Sequence, residues 1–377
     1  PRAASAQGGP QLDPAQATPA QLVTLAATAL DQKKYADALS LARAGLAKDS
    51  SNGALHLTAA RALAALGQTD QAVDEVVAAA TAQPDALTSY ATFISFFPTA
   101  DAAMKGIGYG SRFEGINAAW GDWAMGQLAQ RSSQMDLALK YYAQGLEAAM
   151  RLTNPRAVRE ALYAAVLTLH ADQKDAAGLI KAADGYANND PPLGPSIRLA
   201  AVDHLIALGD SADAKKELDQ VADDLGGSAT PPDALVLAIV QRRETLGDSA
   251  AALKLLAKYA TPKDPALLDA YATALQPDHP DQALKIRQDM AAADPTNPRY
   301  LISLAQARAT SGDSAGALRT LDDAAHLGAT GRELATSARL RYLITIGLLK
   351  EAGDELAAES THQSGDYSLM LAVGRSW

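Results

Sequence analysis

The chain has 377 residues, enough for two ordinary domains or one elongated array of repeats. Its formal net charge of −10 argues against nucleic-acid binding, because an acidic protein repels the phosphate backbone. It contains no cysteine, which excludes disulfides, thiolate catalysis and cysteine-ligated zinc. Hydrophobic residues make up 48% of the chain but aromatic residues only 5%, a balance that favours closely packed, alanine-rich helices.

The first 18 residues are rich in Pro, Ala, Gln and Gly and show no apolar period, so we expect a flexible lead-in over residues 1–18. Within it, Ala4-Ser5-Ala6 resembles the small-residue site at which secretory signals are cleaved. A plain small-residue linker is the alternative. No apolar run in the sequence reaches the roughly 18 residues that a membrane-spanning helix needs.

A repeated pattern begins near residue 19. Residues 209–214 (GDSADA), 247–252 (GDSAAA) and 312–317 (GDSAGA) each follow one apolar, helix-like stretch and precede another. Looser copies end in a small residue at the same place, namely Ala38, Ala72, Ala138, Ala176, Ala283 and Ala352, with a degenerate copy near Ala103. The pattern therefore recurs about every 34 residues.

Each repeat is predicted to hold two helices. Leu301, Leu304 and Ala305 follow the i, i+3, i+4 spacing of one helical face, and Ala317 and Leu321 do the same in the next stretch. In the GDS segments the Gly is expected to adopt the left-handed conformation that ends a helix. Asp and Ser are expected to cap the next helix, and the following Ala lets the two helices approach closely.

Two helices per unit at this period resemble tetratricopeptide repeats. The resemblance covers residues 19–358 and implies an all-α fold, a right-handed α-solenoid of about ten helix-turn-helix repeats. The pattern is irregular around residues 87–118, where we expect a degenerate repeat. Residues 359–377 break the period and are expected to form a capping segment or a tail.

The GDSAG stretch at residues 312–316 also fits G-x-S-x-G, the nucleophile elbow of α/β-hydrolases. An elbow needs a strand before the serine, whereas a helix-like stretch precedes Ser314. The two sister copies lack the final Gly. A helix–helix turn therefore explains Ser314 better than catalysis does.

Other signals of chemistry are weak. Residues 105–110 (KGIGYG) are glycine-rich but lack the G-x-G-x-x-G spacing of a nucleotide-binding loop. No two of the six histidines stand at i, i+4, so no metal site is expected. We therefore predict no cofactor, no metal and no enzymatic activity.

Aromatic residues are concentrated in residues 88–123, which include Trp120 and Trp123. Two interpretations remain open. The cluster is either a local core where the repeat breaks, or a recognition patch, since Trp and Tyr are enriched among interface hot spots.

The family resemblance implies a concave groove, lined by the first helix of each repeat, that binds an extended peptide or a helix. On that face the candidate residues are Trp120, Trp123, Gln127, Gln130, Arg131, Arg61 and Gln241. The same alignment adds Asp203, Glu244, Gln306 and Arg341. The Lys/Asn pairing by which chaperone-binding members hold a peptide carboxylate is absent from the first units, where Val23 and Ala27 stand instead.

The sequence thus predicts a non-catalytic scaffold or adaptor that binds protein partners and does not bind nucleic acid. By analogy with exported relatives, we expect it in a periplasmic or envelope-associated assembly, such as outer-membrane or exopolysaccharide export machinery. The alternatives are an accessory subunit of a larger membrane-associated enzyme and a cytoplasmic adaptor that reads peptides. Self-association is left open beside these partner interactions.

Overall fold

The computed structural model describes residues 15–113, 115–225 and 231–360. Over these residues the secondary structure consists of α-helices and one short 3₁₀ turn at Gly110–Arg112, with no strand. The predicted all-α repeat fold is confirmed. Residues 1–14 of the expected lead-in and residues 361–377 of the expected C-terminal segment lie outside the described residues.

The chain divides into two compact units, Pro1–His204 and Leu205–Trp377, which we call unit 1 and unit 2. The helices of unit 1 are α1 (Pro19–Asp31), α2 (Tyr35–Leu46), α3 (Gly53–Ala65), α4 (Thr69–Ala82), α5 (Leu87–Ser95), α6 (Ala100–Ile107), α7 (Ala118–Arg131), α8 (Met135–Ala149), α9 (Arg156–Asp172) and α10 (Ala176–Asn189). The boundary falls within α11 (Gly194–Leu208).

The helices of unit 2 are α12 (Ser211–Leu225), α13 (Asp233–Thr245), α14 (Ser249–Tyr259), α15 (Pro265–Leu275), α16 (Pro280–Ala293), α17 (Pro298–Thr310), α18 (Ser314–Ala325), α19 (Ala329–Thr345) and α20 (Leu349–Ser360). Odd-numbered helices are the first of each pair and even-numbered helices the second. Within each unit most successive helices pack together, as α17 does with α18, and some first helices also contact each other, as α17 does with α19. Each pair therefore covers a face that its neighbour would otherwise leave exposed.

A common turn joins most first helices to their partners. The residue before the second helix's N-cap has positive φ, at Lys33, Gly67, Ser133, Lys174, Gly209, Gly247, Gly312 and Gly347. The next amide then donates back into the first helix, as from Asp313 to the carbonyl of Arg308 at 2.9 Å. This is the left-handed helix ending predicted from the GDS segments.

Close helix approach depends on the fourth residue of each second helix. That residue is a buried Ala at positions 38, 72, 103, 138, 214, 252, 283, 317 and 352. The predicted register is wrong at Ala176, which is the first residue of α10 and only half-buried. Leu179 occupies the equivalent site and is fully buried.

The capping prediction is correct for Asp210 and Asp313, but Asp248 makes no side-chain cap hydrogen bond, and the Ser of these segments is the first helical residue rather than the cap. The N-cap of α18 is Asp313, whose Oδ1 accepts a hydrogen bond from the amide of Gly316 at 2.8 Å. Ser314 is the first helical residue, and its Oγ accepts from the hydroxyl of Tyr342 at 2.7 Å. A helix precedes this turn, so the geometry of a nucleophile elbow is absent at Ser314.

Candidate protein-binding groove

The predicted polar candidates in unit 1 are bonded to neighbouring helices. Arg61 on α3 donates to the hydroxyl of Thr92 on α5 at 3.1 Å. Arg131 on α7 donates to the carbonyls of Ile94 at 2.9 Å and Phe97 at 2.7 Å. These bonds connect one repeat to the next, so both arginines have a structural role within unit 1.

Gln127 and Gln130 are both hydrogen-bonded to a buried tyrosine, Tyr142. Gln127 donates to the hydroxyl of Tyr142 at 2.9 Å, and that hydroxyl donates to Oε1 of Gln130 at 3.0 Å. Burial raises the pKa of Tyr142, which keeps its hydroxyl protonated and able to donate. Gln130 also donates to Asp172 at the end of α9, at 2.8 Å.

The two tryptophans belong to the aromatic cluster at the centre of unit 1. Trp120 is 3% exposed and stacks on Tyr90, with ring centroids 6.0 Å apart. Trp123 is half-buried and meets Trp120 edge to face at 5.5 Å. Tyr90, Phe93 and Phe113 are fully buried in the same cluster. Of the two interpretations left open, the local core is the one that this geometry supports.

The glycine-rich segment at residues 105–110 and the turn that follows it are hydrogen-bonded to α4. The hydroxyl of Tyr109 donates to Asp70 at 2.5 Å, and Arg112 donates to Asp74 at 2.5 Å. The guanidinium of Arg112 also lies over the ring of Tyr109, 5.0 Å from its centroid. Two carboxylates thus stand beside the segment, an arrangement that opposes phosphate binding.

Unit 2 contains a groove along its first helices, with a volume of about 750 Å³. From α17 it is lined by Arg299, Ile302, Ser303, Gln306 and Thr310, and from α19 by Leu334, Ser337, Ala338, Arg341, Tyr342 and Thr345. Both sets follow the i, i+3, i+4, i+7 spacing of a single helical face. Asp269 and Thr273 of α15 complete the wall, together with Arg287 from α16.

The base of this groove holds a buried arginine. Arg287 is 6% exposed and donates to Oε1 of Gln276 at 2.7 Å and to the hydroxyl of Thr273 at 2.9 Å. Its Nε lies 3.7 Å from Oδ1 of Asp269, which also accepts from Ser303 at 2.6 Å. Burial lowers the pKa of Arg287 while Asp269 opposes that shift. The pair thus brings one positive and one negative charge together.

The rim of the groove carries exposed side chains that no neighbour engages. Arg299, Gln306 and Arg341 are all exposed. Within the described part of unit 2, neither arginine forms an ion pair or a side-chain hydrogen bond. These groups are therefore available to an external ligand, in contrast to the bonded candidates of unit 1.

The predicted candidates of unit 2 differ in whether they line the groove. Gln241, Gln306 and Arg341 stand at the same distance before Gly247, Gly312 and Gly347, so they are equivalent positions in successive repeats. Gln306 and Arg341 line the groove, whereas Gln241 is exposed on α13 outside it. Arg287 and Arg299 were not predicted from the sequence. The spacing of seven residues from Arg299 to Gln306 on one helix was the signal that could have identified Arg299.

No helix in the described ranges has both the length and the apolarity to cross a bilayer. In the same ranges, no three His, Asp or Glu side chains come together as metal ligands do.

A family model agrees with the repeat architecture in the N-terminal part of the chain. Residues 29–94, which span α2 to α4 and most of α5, match the tetratricopeptide repeat family model. No curated protein matches the sequence significantly.

Among solved structures, the type IV pilus biogenesis factor PilW is 16% identical, with 56% of this chain and 95% of that chain covered and a TM-score of 0.32. PilF of Pseudomonas aeruginosa is 12% identical, with coverages of 60% and 97% and a TM-score of 0.30. The Naa15/Naa10 structure bound to HypK is 13% identical, with coverages of 90% and 62% and a TM-score of 0.34. At these values the similarity transfers no function. The match places residues 29–94 within the tetratricopeptide repeat family model, and the remaining described helices continue the same pattern of recurrent pairs.

Proposed function

We propose that this chain is a non-catalytic scaffold that binds a partner protein in the groove of unit 2. The observation that carries the proposal is the difference between the two units. In unit 1, Arg61, Gln130 and Arg131 bond to adjacent repeats. In unit 2, Arg299, Gln306 and Arg341 project from one continuous helical surface without such partners.

The shape and chemistry of the groove fit a peptide segment. It is open along three successive first helices, so it offers an extended surface rather than an enclosed cavity. Apolar Ile302 and Leu334 alternate with hydrogen-bonding Ser303, Gln306 and Ser337. Such a surface can accept both the side chains and the backbone of a bound segment.

A substitution that fills the groove tests this proposal. Gln306→Trp places a large ring at an exposed groove position, where folding should tolerate it. The matched control is Arg319→Trp, also exposed but on the second helix α18. A partner is first identified by co-purification with the chain. Binding of the purified partner to each variant is then measured. Loss of its binding by Gln306→Trp but not by Arg319→Trp supports the proposal, whereas unchanged binding by both rejects it.

We further propose that the partner belongs to a periplasmic or envelope-associated assembly. The support comes from the sequence: Ala4-Ser5-Ala6 resembles a signal-cleavage site, and the chain contains no cysteine. Cell fractionation of the tagged full-length gene product tests this location. Recovery with cytoplasmic markers would favour a cytoplasmic adaptor instead.

A further inference from the structure

We propose that the unit 2 groove selects a partner segment in which acidic residues alternate with apolar ones. This inference rests on the proposed function, because it names the chemistry of the occupant of the same groove. It is argued from the charges, the apolar side chains and the pairing of the residues that line the groove.

The residues that line the groove carry a net positive charge. Asp269 is the only carboxylate among the lining residues, and it stands beside Arg287 and accepts from Ser303. The charges of Asp269 and Arg287 therefore offset each other, which leaves Arg299 and Arg341 as the uncompensated pair. This local excess lies in a chain whose net charge is −10.

Another arginine on α19 shows how such a side chain is paired when carboxylates lie nearby. Arg339, two residues before Arg341, forms ion pairs with Asp322 and with Glu355, the latter at 3.3 Å. Arg339 therefore has its counter-charges within unit 2. Arg341 lines the groove and has no such pair within the described residues, so a carboxylate of a bound ligand can pair with it.

The apolar lining favours a peptide over a nucleic acid. Ile302, Leu334 and Ile346 stand between and beside the arginines, and Ile346 is 43% exposed. Apolar side chains of a bound segment would cover these residues, whereas a phosphate backbone would leave them exposed to water. The acidic chain also repels long polyanions. Carboxylates of a short peptide, by contrast, can form charge-assisted hydrogen bonds with the two exposed guanidinium groups.

Fluorescence polarisation with synthetic peptides tests the inference on the full chain. One labelled peptide alternates Glu with Leu, and its counterpart has Gln at every Glu position. We expect the Glu peptide to bind about tenfold more tightly than the Gln peptide, with a preference that weakens as salt is added. The double variant R299Q/R341Q should lose about tenfold in affinity for the Glu peptide.

The control R319Q/R332Q removes the same charge from exposed positions of unit 2 that do not line the groove. It should bind the Glu peptide as the wild type does, and circular dichroism checks that both double variants are folded. Equal losses in the two double variants, no preference for Glu over Gln, or no binding of the Glu peptide would each overturn the inference. Displacement of the peptide by a lower concentration of single-stranded RNA would also overturn it.

Two variants distinguish a failure of this inference from a failure of the proposed function. If Gln306→Trp abolishes partner binding while R299Q/R341Q retains it fully, the groove binds protein without a preference for acidic segments. If Gln306→Trp has no effect on partner binding, the proposed function itself is wrong.

Discussion

The ring of Tyr142 on α8 packs directly against Gly126 on α7, so closely that a Cβ at Gly126 would lie 2.2 Å from Cε1 of the tyrosine. Tyr142 is fully buried, and its hydroxyl is bonded to both Gln127 and Gln130. The ring therefore has no space to move aside. Close approach of the two helices in this pair depends on the missing side chain at Gly126.

Gly126→Ala should therefore destabilise unit 1 by about 1–3 kcal/mol through overpacking. Gly185→Ala is a matched control, since Gly185 lies inside α10 and an added Cβ would meet no atom within 4 Å. That change should stabilise by about 0.5–1 kcal/mol, because Ala is the better helix former. Thermal melts measure both effects, and equal shifts would contradict the packing described.

Asp313 and Ser314 should differ when each is replaced by Ala. Asp313→Ala removes the acceptor for the amide of Gly316 and should cost about 1 kcal/mol of stability. Ser314→Ala removes only an exposed hydrogen bond from Tyr342 and should cost less. Chemical denaturation compares the two. A larger loss from Ser314→Ala would mean that the serine, and not the aspartate, caps α18.

Asp175 should make the protein sensitive to acid. The amide of Gly178 and then His170 hold the pKa of its carboxyl below the ordinary 3.8. The ionised form therefore stabilises the folded state above that value, and the stabilisation is lost as the pH falls through the lowered pKa.

Asp175→Asn keeps an oxygen acceptor at the α10 cap but cannot titrate. Its melting temperature should accordingly fall less than that of the wild type between about pH 5 and about pH 2. An equal fall in melting temperature in the two proteins would show that Asp175 does not cause the acid sensitivity.

Trp120 should matter for stability rather than for partner recognition. Because it is 3% exposed within the aromatic cluster, Trp120→Ala should cost about 3–5 kcal/mol. Trp123→Ala should cost less, since that ring is only half-buried. Urea denaturation measures both losses. A Trp120→Ala protein of normal stability that fails to bind its partner would restore the recognition-patch interpretation.

The repeat period and the turns were predictable because they follow local chemistry. A left-handed Gly, an N-cap Asp and a buried small residue recur together, so GDSAAA and GDSAGA reveal the helix pairs directly. The prediction failed at Ala176 because α10 uses Leu179 where the other second helices use Ala. Lys33, Ser133 and Lys174 adopt the same left-handed turn without glycine, which no pattern based on glycine would find.

The groove was only partly predictable because a shared helical face does not reveal which side chains are already bonded. The repeat alignment placed Arg131 and Arg341 on the same kind of face. Arg131 is bonded to the carbonyls of Ile94 and Phe97, whereas Arg341 has no such neighbour. That difference depends on how the preceding repeat ends, which is a tertiary property. Arg287 was missed because it reaches the groove from a second helix.

Site-specific photo-crosslinking tests the central claim most directly. A photoreactive phenylalanine analogue is placed at Gln306 in the groove or at Arg319 on α18, and the purified partner is added before irradiation. Our account predicts a crosslinked product from position 306 that excess unlabelled partner competes away, and none from position 319. A crosslink from position 319 with none from position 306 would contradict binding in the unit 2 groove.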